Sequence, residues 1–320
     1  MNRHEPTADA GGTAAAEPGA VEQLNPPGIR TAGIRMLPVA GGRHKVWTKR
    51  VGEGKTKVLL LHGGPGFSHD YLEVMESFLP PAGIELYHYD QLGCGNSDRP
   101  DDAALWTLPR YLDEVEEVRQ GLGLDRFVLY GHSWGGILGI EYALRHPDRL
   151  SGLVISNMTA SIASFLQRLE TLKDLLPPAS RARLAELEKA EDYDSPDYHR
   201  IVEGELYPQV LCRTQPWPEP LTRAFRIVNP AIYGQMQGKS EFVVTGNLRG
   251  WDSWDRLARI RTPTLTIGAE HDEMDPADLV RMAELMPNAR SAICPNGSHL
   301  PMYDDQAVFF DHLLGFLKSV

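Results

Sequence analysis

A mostly parallel β-sheet covered by helices on both faces is the fold the sequence predicts, and three observations carry it. First, Lys57-Val-Leu-Leu-Leu61 and Arg126-Phe-Val-Leu-Tyr130 are continuous apolar runs too short for helices, of the kind buried on both faces of a parallel sheet. Second, such runs alternate with helical patterns, once before Ser156 and again after Thr262. Third, Gly131-His-Ser133-Trp-Gly135 falls between the second run and the helical pattern Ile137–Arg145, so a Gly-x-Ser-x-Gly element sits at a strand-to-helix turn. In such a sheet, ligands are expected outside the carboxyl ends of the strands.

The elements follow in order. Ile29–Val39 and His44–Val51 flank Gly41-Gly42 and read as an N-terminal hairpin extending the sheet. The Lys57 strand runs into His62-Gly-Gly-Pro-Gly66, and a helix is expected over Tyr71–Leu79, ended by Pro80-Pro81. Ile84–Tyr89 is the next strand, and it leads into the turn-rich loop Asp90–Asp98. Thr107–Leu122 reads as an amphipathic helix with Thr107 as its cap. After the strand Leu150–Ser156 the alternation stops, and residues 158–247 carry helical patterns over Ile162–Leu176, Ser180–Lys189, Tyr198–Glu205 and Leu221–Val228. An inserted helical lid is expected there, with the sheet core formed by residues 28–157 and 248–320. Strand Thr262–Ile267, helix Pro276–Met286, strand Ala289–Cys294 and helix Gln306–Leu317 complete the series.

Composition narrows the function classes. With 320 residues and a hydrophobic share of 42%, the chain can fill a sizeable core. A net charge of −11 opposes nonspecific binding to nucleic acid or anionic membrane, which need clustered Lys and Arg. Residues 1–27, rich in Ala, Gly, Pro and Glu, read as a disordered tail without the apolar run of a secretory leader or membrane span, so a cytoplasmic protein is expected. Cys94, Cys212 and Cys294 have neither disulfide-framework nor metal spacing and read as structural thiols. No metal or cofactor is expected. A monomer is plausible on this reading.

A serine at a strand-to-helix elbow is lifted out of the sheet by a strained backbone, but its hydroxyl needs a base, and the base needs an orienting carboxylate. In this arrangement the acid follows the elbow and the histidine follows the acid, each just past a strand. His299 is the histidine in the loop after Ala289–Cys294, and is the expected base. The loop after the Thr262 strand offers Glu270, Asp272 and Asp275; Asp272 is preferred, because Asp275 next to Pro276 is better explained as a helix cap. Two backbone N–H donors must meet the developing oxyanion. One is expected from Trp134 and the other from the loop that holds Gly63 and Gly64.

The combination of His62-Gly-Gly-Pro-Gly66, Asp90-Gln-Leu-Gly-Cys-Gly-Asn-Ser97, Gly131-His-Ser-Trp-Gly-Gly136 and Gly297-Ser-His-Leu300 resembles the proline iminopeptidases of the α/β-hydrolase fold, the tricorn-interacting aminopeptidase type in particular. The resemblance runs from about Lys57 to the C-terminus. It implies Ser133, Asp272 and His299 as the triad, and Gly64 and Trp134 as the oxyanion hole. It further implies that Glu241, in the lid segment Met236–Gly246, and Glu273, next to Asp272, bind the free α-amino group of the substrate. Tyr233 lies where the family has a tyrosine facing the substrate. Ala269 and Ser240 depart from the family's usual Gly and Asn at these positions. The implied activity is that of a serine aminopeptidase releasing proline or a small apolar residue from short peptides through an acyl-enzyme; an amino-acid amidase or carboxylesterase with the same triad is the neighbouring alternative, and a catalytically silent ligand-binding homologue the more distant one. Activity should fall in acid as His299 protonates near its ordinary ~6.5.

Overall fold

The structure is a computed structural model that describes residues 33–320; the expected tail at 1–27 and the first residues of the expected hairpin lie outside it. Eight strands form one sheet: β1 (Ile34–Val39), β2 (His44–Val51), β3 (Thr56–Leu61), β4 (Ile84–Tyr89), β5 (Phe127–His132), β6 (Leu150–Ser156), β7 (Thr264–Ala269) and β8 (Ala289–Cys294), in the order β1-β2-β4-β3-β5-β6-β7-β8. The hairpin β1–β2 joins the edge of β4 antiparallel, and all remaining pairs are parallel. This is the α/β-hydrolase fold.

The apolar runs are continuous because alternate residues serve two cores. Leu59 and Leu61 of β3 and Phe127 and Leu129 of β5 face one side, where they meet helices α1 (Leu108–Leu122) and α2 (Trp134–Arg145). Val58, Leu60, Val128 and Tyr130 face the other, against Leu72 and Met75 and, from the last helix of the chain, Phe309, Leu313 and Phe316. Each side buries its apolar area at roughly 25 cal/mol per Å².

Between β6 and β7 lie α3 (Ile162–Leu172), α4 (Pro178–Lys189), α5 (Pro196–Ile201), α6 (Tyr207–Val210), α7 (Glu219–Arg226) and α8 (Pro230–Met236); α9 (Pro276–Leu285), α10 (Pro301–Asp304) and α11 (Gln306–Leu317) follow. Two expected helices differ in kind. Residues Asp70–Ser77 form a 3₁₀ helix, and the sequence period there is three: Asp70, Glu73 and Glu76 make one ridge, Leu72 and Met75 the buried one. The pattern over Tyr198–Glu205 breaks at a π turn, Val202–Leu206. Pro208 has no N–H to give to the Gly204 carbonyl four residues earlier, so the regular α ladder cannot continue through it. Thr107 holds the cap position of α1, but its side chain makes no capping hydrogen bond. Helix α8, for which the sequence reading had no element, is capped by Asn229, whose side chain accepts from the Ala231 and Ile232 N–H groups.

Candidate active site

Ser133 stands between β5 and α2 at φ 54°, ψ −125°, a backbone conformation that costs a side-chain-bearing residue about 1–3 kcal/mol. The turn is tight enough to exclude any Cβ beside it. One built on Gly131 would lie 2.1 Å from the Gly135 carbonyl oxygen, and one on Gly135 would lie 2.3 Å from that of Leu61. The glycines of the Gly-x-Ser-x-Gly element are therefore there for close approach, and Ser133 carries the strain.

His299 and Asp272 arrive from the loops after β8 and β7. Their side chains meet at Nδ1 and Oδ1, 2.8 Å apart, with Asp272 fully buried. The Asp272 carboxylate also accepts from the Asn157 side-chain amide (2.6 Å) and the Met274 N–H (3.0 Å). Glu270, the competing acid in the same loop, is exposed, and Asp275 caps α9 through the Ala277 N–H. Ser133 and His299 line a cavity of about 640 Å³.

Trp134 follows Ser133 in the chain and Gly64 lines the same cavity, and the structure adds what holds their segments. The Gly63 N–H donates to the Tyr71 hydroxyl at 2.6 Å and is thereby engaged within the protein. Gly64 lies at φ +115°, and a Cβ on it would come within 2.8 Å of the Gly66 and Phe67 nitrogens. From the Asp90 loop, Gln91 donates to the His62 carbonyl (3.0 Å) and accepts from the Trp134 indole N–H (2.8 Å), so one side chain ties the two donor segments together. The Tyr71 hydroxyl donates in turn to His132 Nδ1 (2.9 Å), and His132 Nε2–H donates to the His299 carbonyl (2.8 Å). Burial, with the His299 charge adding to it, holds the His132 imidazole well below its ordinary range, which keeps it neutral and fixes this direction. Tyr71, Gln91, His132 and Asn157 had no assigned role in the sequence reading; of these, Gln91 and His132 lay in motifs that could have flagged them.

Glu273, from the loop after β7, and Glu241, from the segment after α8, line the same cavity. Glu273 is fully buried, neither of its carboxylate oxygens has a hydrogen-bond partner among the described residues, and Oε1 lies 3.5 Å from His299 Nε2. Glu241, on the loop after α8, accepts from the Tyr233 hydroxyl at 2.5 Å. Burial raises both carboxyl groups; for Glu273 the rise is large and, although the His299 charge opposes it, Glu241 and Asp272 add to it. Burial lowers the affinity of His299 for its proton, but Glu273, Asp272 and Glu241 outweigh that and lift it to about 9, well above the ordinary value expected from the sequence. Ser240 accepts from the Tyr198 hydroxyl (2.8 Å) and the Phe242 N–H (3.2 Å), and so braces the turn before Glu241.

The rest of the cavity is apolar and aromatic. Phe67 and Phe225 meet edge to face at 4.9 Å, with Tyr207 and Trp217 beside Phe225, and Leu300 closing the side near His299. Among the described residues, His69, Asp70 and Glu73 are close enough to hold a cation, but each is already engaged: His69 with Asp90, and both carboxylates with Arg223.

The model of the alpha/beta hydrolase fold family matches residues 56–306. A proline iminopeptidase from Chitinophaga pinensis is 46% identical over 293 residues, covering 89% of this chain and 98% of that protein. Among solved structures, a proline iminopeptidase from Mycobacterium smegmatis is similar with a TM-score of 0.83 at 32% identity, over 89% of this chain and 98% of the other. VinJ reaches a TM-score of 0.85 at 36% identity, over 91% of this chain and 99% of its own. With identity of this level across nearly the whole of both chains, and the fold to match, the chain belongs to the proline iminopeptidase family of α/β hydrolases.

Proposed function

We propose that the chain is a serine aminopeptidase that releases proline, or another small apolar residue, from the free N-terminus of short peptides. The observation that carries this reading is the placement of two carboxylates, Glu241 and Glu273, in the cavity that also holds Ser133 and His299. A substrate ammonium that loses its water in that cavity finds charge-assisted partners there, and an acylated N-terminus does not. The 46% identity to a relative named a proline iminopeptidase supports proline as the favoured first residue.

In this mechanism His299 takes the Ser133 proton, and the alkoxide attacks the carbonyl of the first residue. The Gly64 and Trp134 N–H groups receive the oxyanion, and His299 then protonates the leaving amine. Water attacks the acyl-enzyme with His299 again as base and frees the amino acid. Asp272 holds the imidazole tautomer with Nδ1–H toward itself. Residues 158–247 act as the lid: they supply Glu241 and the aromatic wall, and the Val210 carbonyl accepts from the His299 N–H at 2.9 Å. Three buried thiols without disulfide partners fit a cytoplasmic setting, and no helix among the described residues is long and apolar enough to cross a membrane.

The test compares hydrolysis of Pro-, Ala- and Phe-anilides, their N-acetylated counterparts and a short-chain ester. Rapid turnover of free-amine anilides, slow or absent turnover of the acetylated set, and loss of all activity in Ser133→Ala with the fold retained are expected. Ester cleavage indifferent to a free amine would keep the triad and remove Glu241 and Glu273 from the mechanism.

A further inference from the structure

In the substrate-free cavity, Nε2 of His299, the nitrogen that must accept the Ser133 proton, faces Glu273 Oε1 at 3.5 Å. Glu273 has no other partner among the described residues, and its side chain is fully buried at the cavity wall. An unpaired buried carboxylate is costly, so it either takes up a proton or pairs with the nearest cation. Before substrate arrives, that cation is the imidazolium.

We propose that Glu273 has a second role beyond anchoring the substrate: it holds His299 in the protonated form while the site is empty, and the arriving ammonium replaces the imidazolium as its partner and so arms the base. This rests on the aminopeptidase reading above. The balance is simple. Imidazolium and carboxylate, on meeting an ammonium, become neutral imidazole and a carboxylate–ammonium pair, and one proton leaves to solvent. The imidazole Nε2 then has its lone pair free for the Ser133 hydroxyl.

The groups around His299 agree on the direction. Asp272 faces Nδ1 from the loop after β7, and Glu241, which lines the same cavity, acts on His299 through its charge. His132, packed at 4.8 Å between ring centroids, is neutral and donates to the His299 carbonyl. Tyr71 donates to His132, Tyr233 donates to Glu241, and the Arg168 guanidinium lies on the Asp272 carbonyl at 3.3 Å. Three carboxylates thus surround one base. Since both His299 and Glu273 are displaced toward holding protons, the pair keeps one at neutral pH. An added positive charge on Glu273 removes the reason for keeping it.

Two measurements test this. The first follows labelling of Ser133 by an uncharged fluorophosphonate against pH, which reports the base of the empty site without any amine. The acid limb is expected toward about 9 in the wild type, and toward the ordinary ~6.5 in Glu273→Gln, with labelling at pH 7 at least about tenfold faster in the variant. A wild-type limb near ~6.5 would overturn the proposal without needing the variant to fold. The second titrates Ser133→Ala with L-prolinamide by calorimetry at pH 7.5 in buffers of different ionisation enthalpy. Release of a large fraction of one proton on binding is expected, and none with Glu273→Gln added. Tight binding without proton release overturns the arming step and leaves amine recognition intact; no binding at all overturns the aminopeptidase reading itself, and the arming step with it.

Discussion

The two ends of the cavity are built on opposite rules. Behind Ser133 the polar groups are paired: Asn157 and Met274 with Asp272, Gln91 with His62 and Trp134, Tyr71 with Gly63 and His132. At the other, which reaches His299 Nε2 at 3.5 Å, Glu273 has no hydrogen bond among the described residues, and Glu241 has the Tyr233 hydroxyl. The first end is finished before substrate binds, as preorganised catalysis requires. The second is left incomplete in a way that only a cation completes, so it selects. A fully paired cavity would have been more stable and indifferent to the N-terminus.

If that contrast is right, the largest effect comes from the incomplete end. Replacing Glu241 by Gln removes a charged partner while keeping its size, and a hydrogen bond to a charged group is worth about 1.5–3 kcal/mol. kcat/KM for Pro-anilide is then expected to fall about 10- to 150-fold, while cleavage of an uncharged ester stays within about threefold. Equal losses on both substrates would mean that Glu241 shapes the pocket and does not select the ammonium.

At the paired end, Gln91→Ala leaves the Trp134 indole N–H and the His62 carbonyl without their partner, both buried. Each such group costs about 1–3 kcal/mol of stability. The oxyanion donors shift with their supports, so kcat should fall about tenfold with little change in KM, because the misplaced donors matter most in the transition state. A rise in KM at constant kcat would assign Gln91 to substrate binding.

How much of this was legible follows from the range of the physics involved. The strands were readable because a residue run buried on both faces has to be apolar throughout, as in β3 and β5. His299 and Asp272 were reachable through chain order, and the structure brings them to 2.8 Å. Asn157, Tyr71 and His132 were not, because a polar side chain looks the same in the sequence whether it meets water or a partner such as Asp272, 115 positions away from Asn157. The ~6.5 expected for His299 failed for a related reason: its neighbours Glu273 and Glu241 act through space, and their closeness is a property of the folded cavity. The 3₁₀ helix at Asp70–Ser77 is in the sequence as a period of three, whereas the expectation over Tyr71–Leu79 was of a helix of no stated kind.

The smallest effect should come from the charged contact between lid and core. Arg223 on α7 pairs with Asp70 and Glu73 at 2.5 Å each, and also with Glu219 on its own helix. About a third of its side chain is exposed, so water and salt screen these pairs, and contacts of this kind are typically worth about 0–1 kcal/mol. The lid does not depend on them. Asn229 bonds the Gly66 and Gly93 carbonyls, Gln235 bonds that of Ala103, and the His299 N–H reaches Val210. Arg223→Ala should therefore lower stability by about 1 kcal/mol or less, an effect that shrinks further in 0.5 M salt, and change KM for Pro-anilide by less than about threefold. A tenfold rise in KM that high salt reproduces in the wild type would show that charge holds the lid closed, and the aromatic wall would then have to be counted as a part that moves.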